Sequence, residues 1–449
     1  MITTHVTRRY AAGAVWLLAI AFLLVPSAPR TGRAAPESRH PWIDTWVAMP
    51  QLTEPGNLPP PPFTTATGVF ADSTVRQTLH VSIGGRKLRL RISNAFGDTA
   101  LVITAAHLAL PADGAVGGSA IRAGSDRTLT FQGRTAVTIP AGAQAVSDPI
   151  GLAVSPAENL AVTIFLAQGQ PSLNITSHPG SRTTTYIVAG NHVSDQDLAN
   201  AAQVAHWYFL SGVEVMTAPD TFGAVMLGDS LTDGRGSTTN QNDRWPDQLA
   251  ARLRAHRSTH SVAVLNQAAG GNRILNDGLG PNLLARLDRD LLAHSGVRWT
   301  IVFEGINDIG TADATQDAQR AVGDELIRAY EQIIVRAHDR GIAVYGATLT
   351  PMQGSIYTDA AGVREATRQA INHWIRTSGR FDAVIDFDRA VRDPRMPAII
   401  AAAFDSGDHL HLNPAGYQAL AEAVDLALFR VRPDGRPLLD RSDREVGEP

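Results

Sequence analysis

The chain has 449 residues, of which 44% are hydrophobic and 18% charged, with no cysteine and a formal net charge of −4. That balance excludes bulk disorder, and the lack of cysteine excludes a disulfide framework, a thiolate nucleophile and a zinc–thiolate site. The length exceeds what a single core commonly serves, so two domains are expected.

Residues 1–34 read as a signal peptide. Arg8-Arg9 precede an unbroken small and apolar stretch from Tyr10 to Val25, and small residues follow near Ala34-Ala35. These are the three parts of a secretory signal, with the cut expected after Ala34. The apolar stretch is short of the ~20 residues a membrane span needs, so no stable span is expected after cleavage; an uncleaved anchor is the alternative. Thr7-Arg8-Arg9 hints at twin-arginine export, so the expected destination is secreted or periplasmic. Residues 1–34 hold four arginines and no acid, and the remainder carries 35 basic and 43 acidic side chains, a balance of −8. An acidic chain without basic clusters argues against a nucleic-acid partner.

Residues 40–215 read as an N-terminal β domain. Leu79, Val81 and Ile83 alternate with His80 and Ser82, and after Gly84-Gly85 the residues Leu88, Leu90 and Ile92 alternate with Arg89 and Arg91. Period-two alternation around Gly-Gly predicts a hairpin with one buried face. Leu101–Ile103, Ala136–Ile139 and Leu160–Phe165 are further expected strands, punctuated by turns such as Pro140-Ala141-Gly142. The expected architecture is an all-β sandwich of jelly-roll type.

Residues 220–430 change pattern. Short apolar runs at Ala224–Leu227, Val262–Leu265, Trp299–Phe303, Ile342–Leu349 and Ala383–Phe387 alternate with helical stretches near Pro246–His256, Leu283–Ala293, Ala318–Arg340, Val363–Thr377 and Pro414–Phe429. Five strand-then-helix units predict a parallel sheet covered on both faces. Asn413-Pro414 supplies an N-cap followed by proline at the first helical position. The stretch 431–449, rich in charge and proline, is expected to be a flexible tail.

Chemistry gathers at strand ends. Gly228-Asp229-Ser230-Leu231 follows the first apolar run, where open α/β sheets put their ligands. Thr232 stands where a nucleophile elbow of the Gly-x-Ser-x-Gly kind requires glycine. Gly270-Gly271 follows the second run and Asn307 the third, while Asp408-His409-Leu410-His411 precedes the last helix. A serine needs a base, and the base needs an acceptor to hold its tautomer. Ser230, His411 and Asp408 can supply the three, with His409 as the competing base. A glycine N–H, from Gly270 or Gly271, and the Asn307 amide could converge on one oxyanion. Taken singly, each has a plainer reading: a helix cap for Ser230, a tight turn for the glycines, an Asx-turn for Asn307. Two other functions stay open, a metallophosphoesterase built on Asp229, Asn307 and His411, and a non-catalytic glycan-binding protein.

The segments Gly228-Asp229-Ser230-Leu231, Asn266–Arg273, Gly305-Ile306-Asn307-Asp308 and Asp408–His411 resemble the four blocks of the GDSL, or SGNH, hydrolase superfamily over Phe222–Phe429. Arg244-Trp245-Pro246, Asp288-Arg289-Asp290 and the β region further resemble a secreted bacterial subgroup of arylesterases and xylan-associated esterases, and the layout is similar to carbohydrate esterase family two. The resemblance implies a flavodoxin-like three-layer α/β/α domain with five parallel strands. It implies Ser230 as nucleophile, His411 as base and Asp408 as its orienting acid, with Ser230, Gly271 and Asn307 as the oxyanion hole and no cofactor or metal. The implied substrate is a carboxylic ester, short-chain acyl, aryl or polysaccharide-linked acetyl. Many members have Gly-Ile where this chain has Ala268-Ala269, which leaves Gly270 as a rival to Gly271.

Overall fold

The computed structural model describes residues 41–431 and 435–438. The signal-peptide reading of 1–34 and most of the tail read at 431–449 fall outside these residues. Among the described residues no helix is long and apolar enough to cross a membrane.

Ahead of the parallel sheet the chain builds antiparallel sheets. One has the strand order Trp42–Val47, Leu210–Met216, Leu88–Ser93, Gln144–Val146. A six-stranded sheet is centred on Ser73–His80 and Asn159–Leu166, and a small three-stranded sheet joins His206–Tyr208, Thr176–Pro179 and Gln51–Leu52. Leu88, Leu90 and Ile92 are buried while Arg89 and Arg91 between them are part-exposed, as the two-residue period requires.

The hairpin expected at Gly84-Gly85 does not form. Ser73–His80 pairs with Asn159–Leu166 and Thr185–Ala189, whereas Leu88–Ser93 pairs with Leu210–Met216 and Gln144–Val146, in a different sheet. Neither glycine has the positive φ that a two-residue hairpin turn demands. They serve close approach instead: a Cβ on Gly84 would stand 2.5 Å from the Val154 carbonyl oxygen, and one on Gly85 would stand 2.7 Å from Val215 Cβ.

The second half is a doubly wound sheet of five parallel strands: β1 (Phe222–Gly228), β2 (Val262–Asn266), β3 (Val297–Phe303), β4 (Ala343–Ala347) and β5 (Ala383–Ile385). Their order is β2-β1-β3-β4-β5, the flavodoxin-like arrangement, whose switch point lies between β1 and β3. Strand β1 is buried on both faces at Ala224, Val225, Met226 and Leu227, which is why it reads as a continuous apolar run. The helices are α1 (Ser230–Asp233), α2 (Trp245–Ala255), α3 (Leu283–Leu287), α4 (Ile306–Thr311), α5 (Gln316–His338), α6 (Val363–Thr377), α7 (Phe387–Val391) and α8 (Pro414–Ala423).

Two helices depart from their predicted lengths. After α3 the chain makes a π-helical turn over Asp288–Leu292, which buries Asp290 beside Arg286 at 3.2 Å. Helix α8 ends at Ala423, because Asp425 accepts from the Ala427 N–H and starts a separate 3₁₀ turn at Leu426–Phe429.

One hydrophobic core runs through both halves. The antiparallel region covers the open edge at β2, where Val264 N–H donates to Ser82 Oγ at 3.2 Å. Further along the same boundary the buried His294 Nδ1 donates to Asp44 Oδ2 at 2.7 Å.

Candidate active site

Strand β1 ends at Gly228, and a side chain there would strike Thr232 Oγ1 at 2.3 Å and the Phe303 carbonyl oxygen at 2.8 Å. Asp229 then caps α1, its Oδ1 accepting from Leu231 N–H at 2.9 Å. Ser230 is therefore the first helical residue, at the switch point of the sheet. Its N–H is one of the donors a helix start leaves without an intrahelical partner.

The loop before α8 is shaped by its own side chains. Asn413 Oδ1 accepts from Gly416 N–H at 3.0 Å with Pro414 behind it, and Ser406 N–H donates to the His411 carbonyl at 3.0 Å. Asp408 Oδ1 accepts from the N–H groups of Leu410 and His411, at 3.1 and 2.8 Å. Its Oδ2 accepts from His411 Nδ1 at 2.7 Å, and His411 Nε2 meets Ser230 Oγ at 2.8 Å. His409 turns away: it is exposed, with φ 60°, and its ring pairs with Asp405 Oδ2 at 2.5 Å.

The electrostatics follow from this wiring. Burial pushes the Asp408 carboxyl up, but hydrogen bonds from the His411 backbone and ring outweigh it and draw the pKa down to about 2. Burial holds His411 below its ordinary value against the opposing pull of Asp408. At neutral pH the ring is uncharged with its proton on Nδ1, so Nε2 can accept the serine proton.

Gly270 and Gly271 are the middle of a turn closed by Asn272 N–H to the Ala269 carbonyl at 3.2 Å. Gly271 has φ 71°, the left-handed position of a type II turn, where glycine is favoured. The N–H groups of both glycines donate to no acceptor among the described residues. Both line the same cleft as Ser230, Asn307, Asp408 and His411. Asn307, on α4, has its amide oriented from two sides: Nδ2 donates to the Asn272 carbonyl at 2.9 Å and Oδ1 accepts from Tyr357 Oη at 2.8 Å. One Nδ2–H remains.

Asp229, which a metal reading requires, is committed to capping α1, and His411 to Ser230 and Asp408. Among the described residues no three His, Cys, Asp or Glu side chains gather as a metal site.

Three things around the site carry no local sequence signal. Tyr357 comes from the loop between β4 and α6. His178, from the antiparallel region, pairs with Asp233 of α1 at 2.8 Å. Beneath the rim the fully buried Arg286 bridges Asp290 and Glu304, at 3.2 and 3.3 Å. Burial raises the Glu304 pKa to about 8, Asp229 to about 7 and Asp308 to about 6. Asp308 still accepts from the N–H groups of Ile274 and Leu275, which pins the loop carrying Gly271. One segment singled out for its resemblance, Arg244-Trp245-Pro246, also finds work: Arg244 donates to the Ser181 carbonyl at 2.7 Å, and Trp245 Nε1 donates to Thr232 Oγ1 at 3.2 Å.

Residues 226–419 match the profile of the GDSL-like lipase/acylhydrolase family. Among solved structures, the acetylxylan esterase Axe2 from Geobacillus stearothermophilus is 18% identical, with 45% of this chain and 91% of that one covered at a TM-score of 0.34. The acetyl xylan esterase AlAXEase is 18% identical over 45% of this chain and 97% of its own, at 0.34. A G-D-S-L family protein from Desulfitobacterium hafniense DCB-2 has the same identity, coverage and score as the latter. No curated protein sequence matches the chain.

Proposed function

We propose that the chain, whose residues 226–419 match the GDSL-like lipase/acylhydrolase profile, is a carboxylic ester hydrolase that works through a Ser230–His411–Asp408 acyl-enzyme mechanism. Ser230 Oγ attacks the ester carbonyl carbon while His411 Nε2 takes its proton. Asp408 keeps the ring proton on Nδ1 and stabilises the imidazolium as it forms. The N–H groups of Ser230 and Gly271 and the remaining Asn307 Nδ2–H receive the developing oxyanion. His411 then passes its proton to the leaving alcohol, and a water activated by the same ring releases the acid. The observation that carries this reading is the continuous relay Ser230 Oγ–His411 Nε2, 2.8 Å, and His411 Nδ1–Asp408 Oδ2, 2.7 Å.

The acyl group is a short one and the alcohol is aryl or carbohydrate. The cleft, about 770 Å³, has room for a short acyl group together with an aryl or sugar alcohol. Residues 1–34 direct the enzyme out of the cytoplasm; finding it in the cytosolic fraction of its own host with residue 1 retained would refute that part.

The decisive test is fluorophosphonate labelling with peptide mapping, run beside hydrolysis of aryl acetate, butyrate and octanoate. The label is expected on Ser230, with acetate preferred. Labelling elsewhere, or a Ser230→Ala protein with full turnover, would overturn the mechanism.

A further inference from the structure

One wall of the cleft is built by the antiparallel region. The stretch Pro179–Thr184 is bolted to the loop between α1 and α2. Asn240 N–H donates to the Arg182 carbonyl at 2.9 Å, the Asn240 side chain exchanges hydrogen bonds with Thr184 at 2.8 and 2.9 Å, and Arg244 holds the Ser181 carbonyl. Within this fixed stretch Arg182 has φ 52°, a left-handed conformation that a non-glycine residue adopts at a cost and that often marks a functional position. Its guanidinium is half-buried, lines the cleft with Ser230 and His411, and makes no hydrogen bond among the described residues; Nε is buried without a partner among them.

Across from it lies a matching acceptor. Asp233, 1% exposed, spends Oδ1 on His178, while its Oδ2 is buried on the cleft floor without a partner among the described residues. A methyl group on Gly180 would stand 3.4 Å from Arg182 Nη2 and 3.5 Å from Asp233 Oδ2, so glycine keeps open the space that these two groups border. The same Gly180 donates its N–H to His206 Nδ1 at 3.1 Å, which leaves the ring proton of neutral His206 on Nε2, a further donor on this wall. Glu54 adds an acceptor, its carboxylate steadied by Gln51 and Asn57 at 2.5 and 2.9 Å.

A wall with unpaired donors and an unpaired acceptor suits a group that is both, and the group with that character is a hydroxyl. A ligand anion would face Asp233 and Glu54. An unsubstituted alkyl alcohol would desolvate these groups and return no hydrogen bond. We propose that Arg182 and Asp233, with His206 beside them, form a leaving-group subsite that takes a partly acylated polyol or sugar, binding the free hydroxyl next to the ester oxygen. The antiparallel region would then set specificity directly. This rests on the serine-esterase reading above.

The test uses a matched pair on the whole protein: the monoacetate of trans-1,2-cyclohexanediol and cyclohexyl acetate, which differ by one hydroxyl. Each kcat/KM is divided by that ester's rate with hydroxide, and the readout is the ratio of the two. Arg182 also acts on the charge state of His411, but that influence is common to both esters and cancels. The wild type is expected to favour the diol ester, and Arg182→Gln and Asp233→Asn each to shrink the preference by roughly tenfold, a modest figure for a site that loses one polar contact. Asp233→Asn keeps an oxygen for His178, so a general failure to fold is separable. No hydroxyl preference in the wild type, or an unchanged ratio in both variants, would overturn the subsite, as would a stronger preference for the matching 2-carboxylate ester. Absence of both phenyl acetate turnover and Ser230 labelling would instead sink the underlying mechanism.

Discussion

His178 Nε2 lies 2.8 Å from Asp233 Oδ1, so a residue of the antiparallel region holds the end of the four-residue helix that begins with Ser230. The other ring nitrogen of His178 faces the Met49 carbonyl at 2.9 Å. Both side chains are buried, at 3% and 1% exposure, and the helix that carries Ser230 is anchored from outside its own sheet.

His178→Ala leaves both oxygens of a buried carboxylate without a partner. Leaving a buried acceptor unpaired costs about 1–3 kcal/mol, more where the group is charged, and urea unfolding is expected to register a loss of that order together with a lower kcat. Replacing Asp233 as well should restore part of the stability, since no lone charge remains. An unaltered midpoint in the single variant would refute the anchoring role.

Asn307→Ala removes one oxyanion donor, and kcat is expected to fall by roughly 10²–10³ with little change in KM. Tyr357→Phe keeps the ring and loses the hydrogen bond to Asn307 Oδ1, for which a drop of about tenfold is expected. The two effects should not add: once Asn307 is gone, the tyrosine hydroxyl has no amide left to orient. A full additive loss in the double variant would show that Tyr357 acts by another route.

The acid limb of kcat/KM should report His411, with an apparent pKa under the ordinary histidine value because burial dominates. Asp408 favours the charged ring, so Asp408→Asn should move that limb to still lower pH while kcat falls by about 10⁴, as loss of the orienting carboxylate does in such triads. A limb that moved upward would contradict the relay. Asp408 itself, drawn from about 4 to about 2, adds stability that is complete above its unfolded pKa and disappears as pH falls through about 2.

Glu304 has the opposite sign. Its pKa is raised to about 8 by burial, which Arg286 only partly offsets, so the folded protein holds a proton that the unfolded chain releases above about 4.5. Stability should decline as pH rises from about 4.5 through 8. Glu304→Gln removes this dependence, and its advantage over the wild type in thermal unfolding should grow between pH 5 and pH 9. A constant difference across that range would count against the assignment.

The parallel half was legible because its signals are local. Each apolar run is a buried strand, and the chemical groups sit within a few residues of a strand end or a cap; Asp408 reaches His411 within one turn of loop. The antiparallel half was less so. Ser73–His80 pairs with Asn159–Leu166, and nothing at Gly84-Gly85 announces that the next strand joins a different sheet. Tyr357 acts through Asn307, 50 residues away, Arg286 bridges a near acid and a distant one, Arg182 is marked only by the cleft it lines, and a lone tyrosine or arginine looks like any other. Gly180 was equally silent, since its purpose is the space it leaves.

Trp42–Val47 lies beside Leu210–Met216, so a long excursion of the chain returns to its own starting point before the parallel sheet begins. Such a closed frame can tolerate drift in its far strands while the few stretches hanging over the catalytic rim are exchanged. New alcohol preferences could therefore arise by loop replacement there, with the bond-breaking apparatus on the opposite bank left as it is.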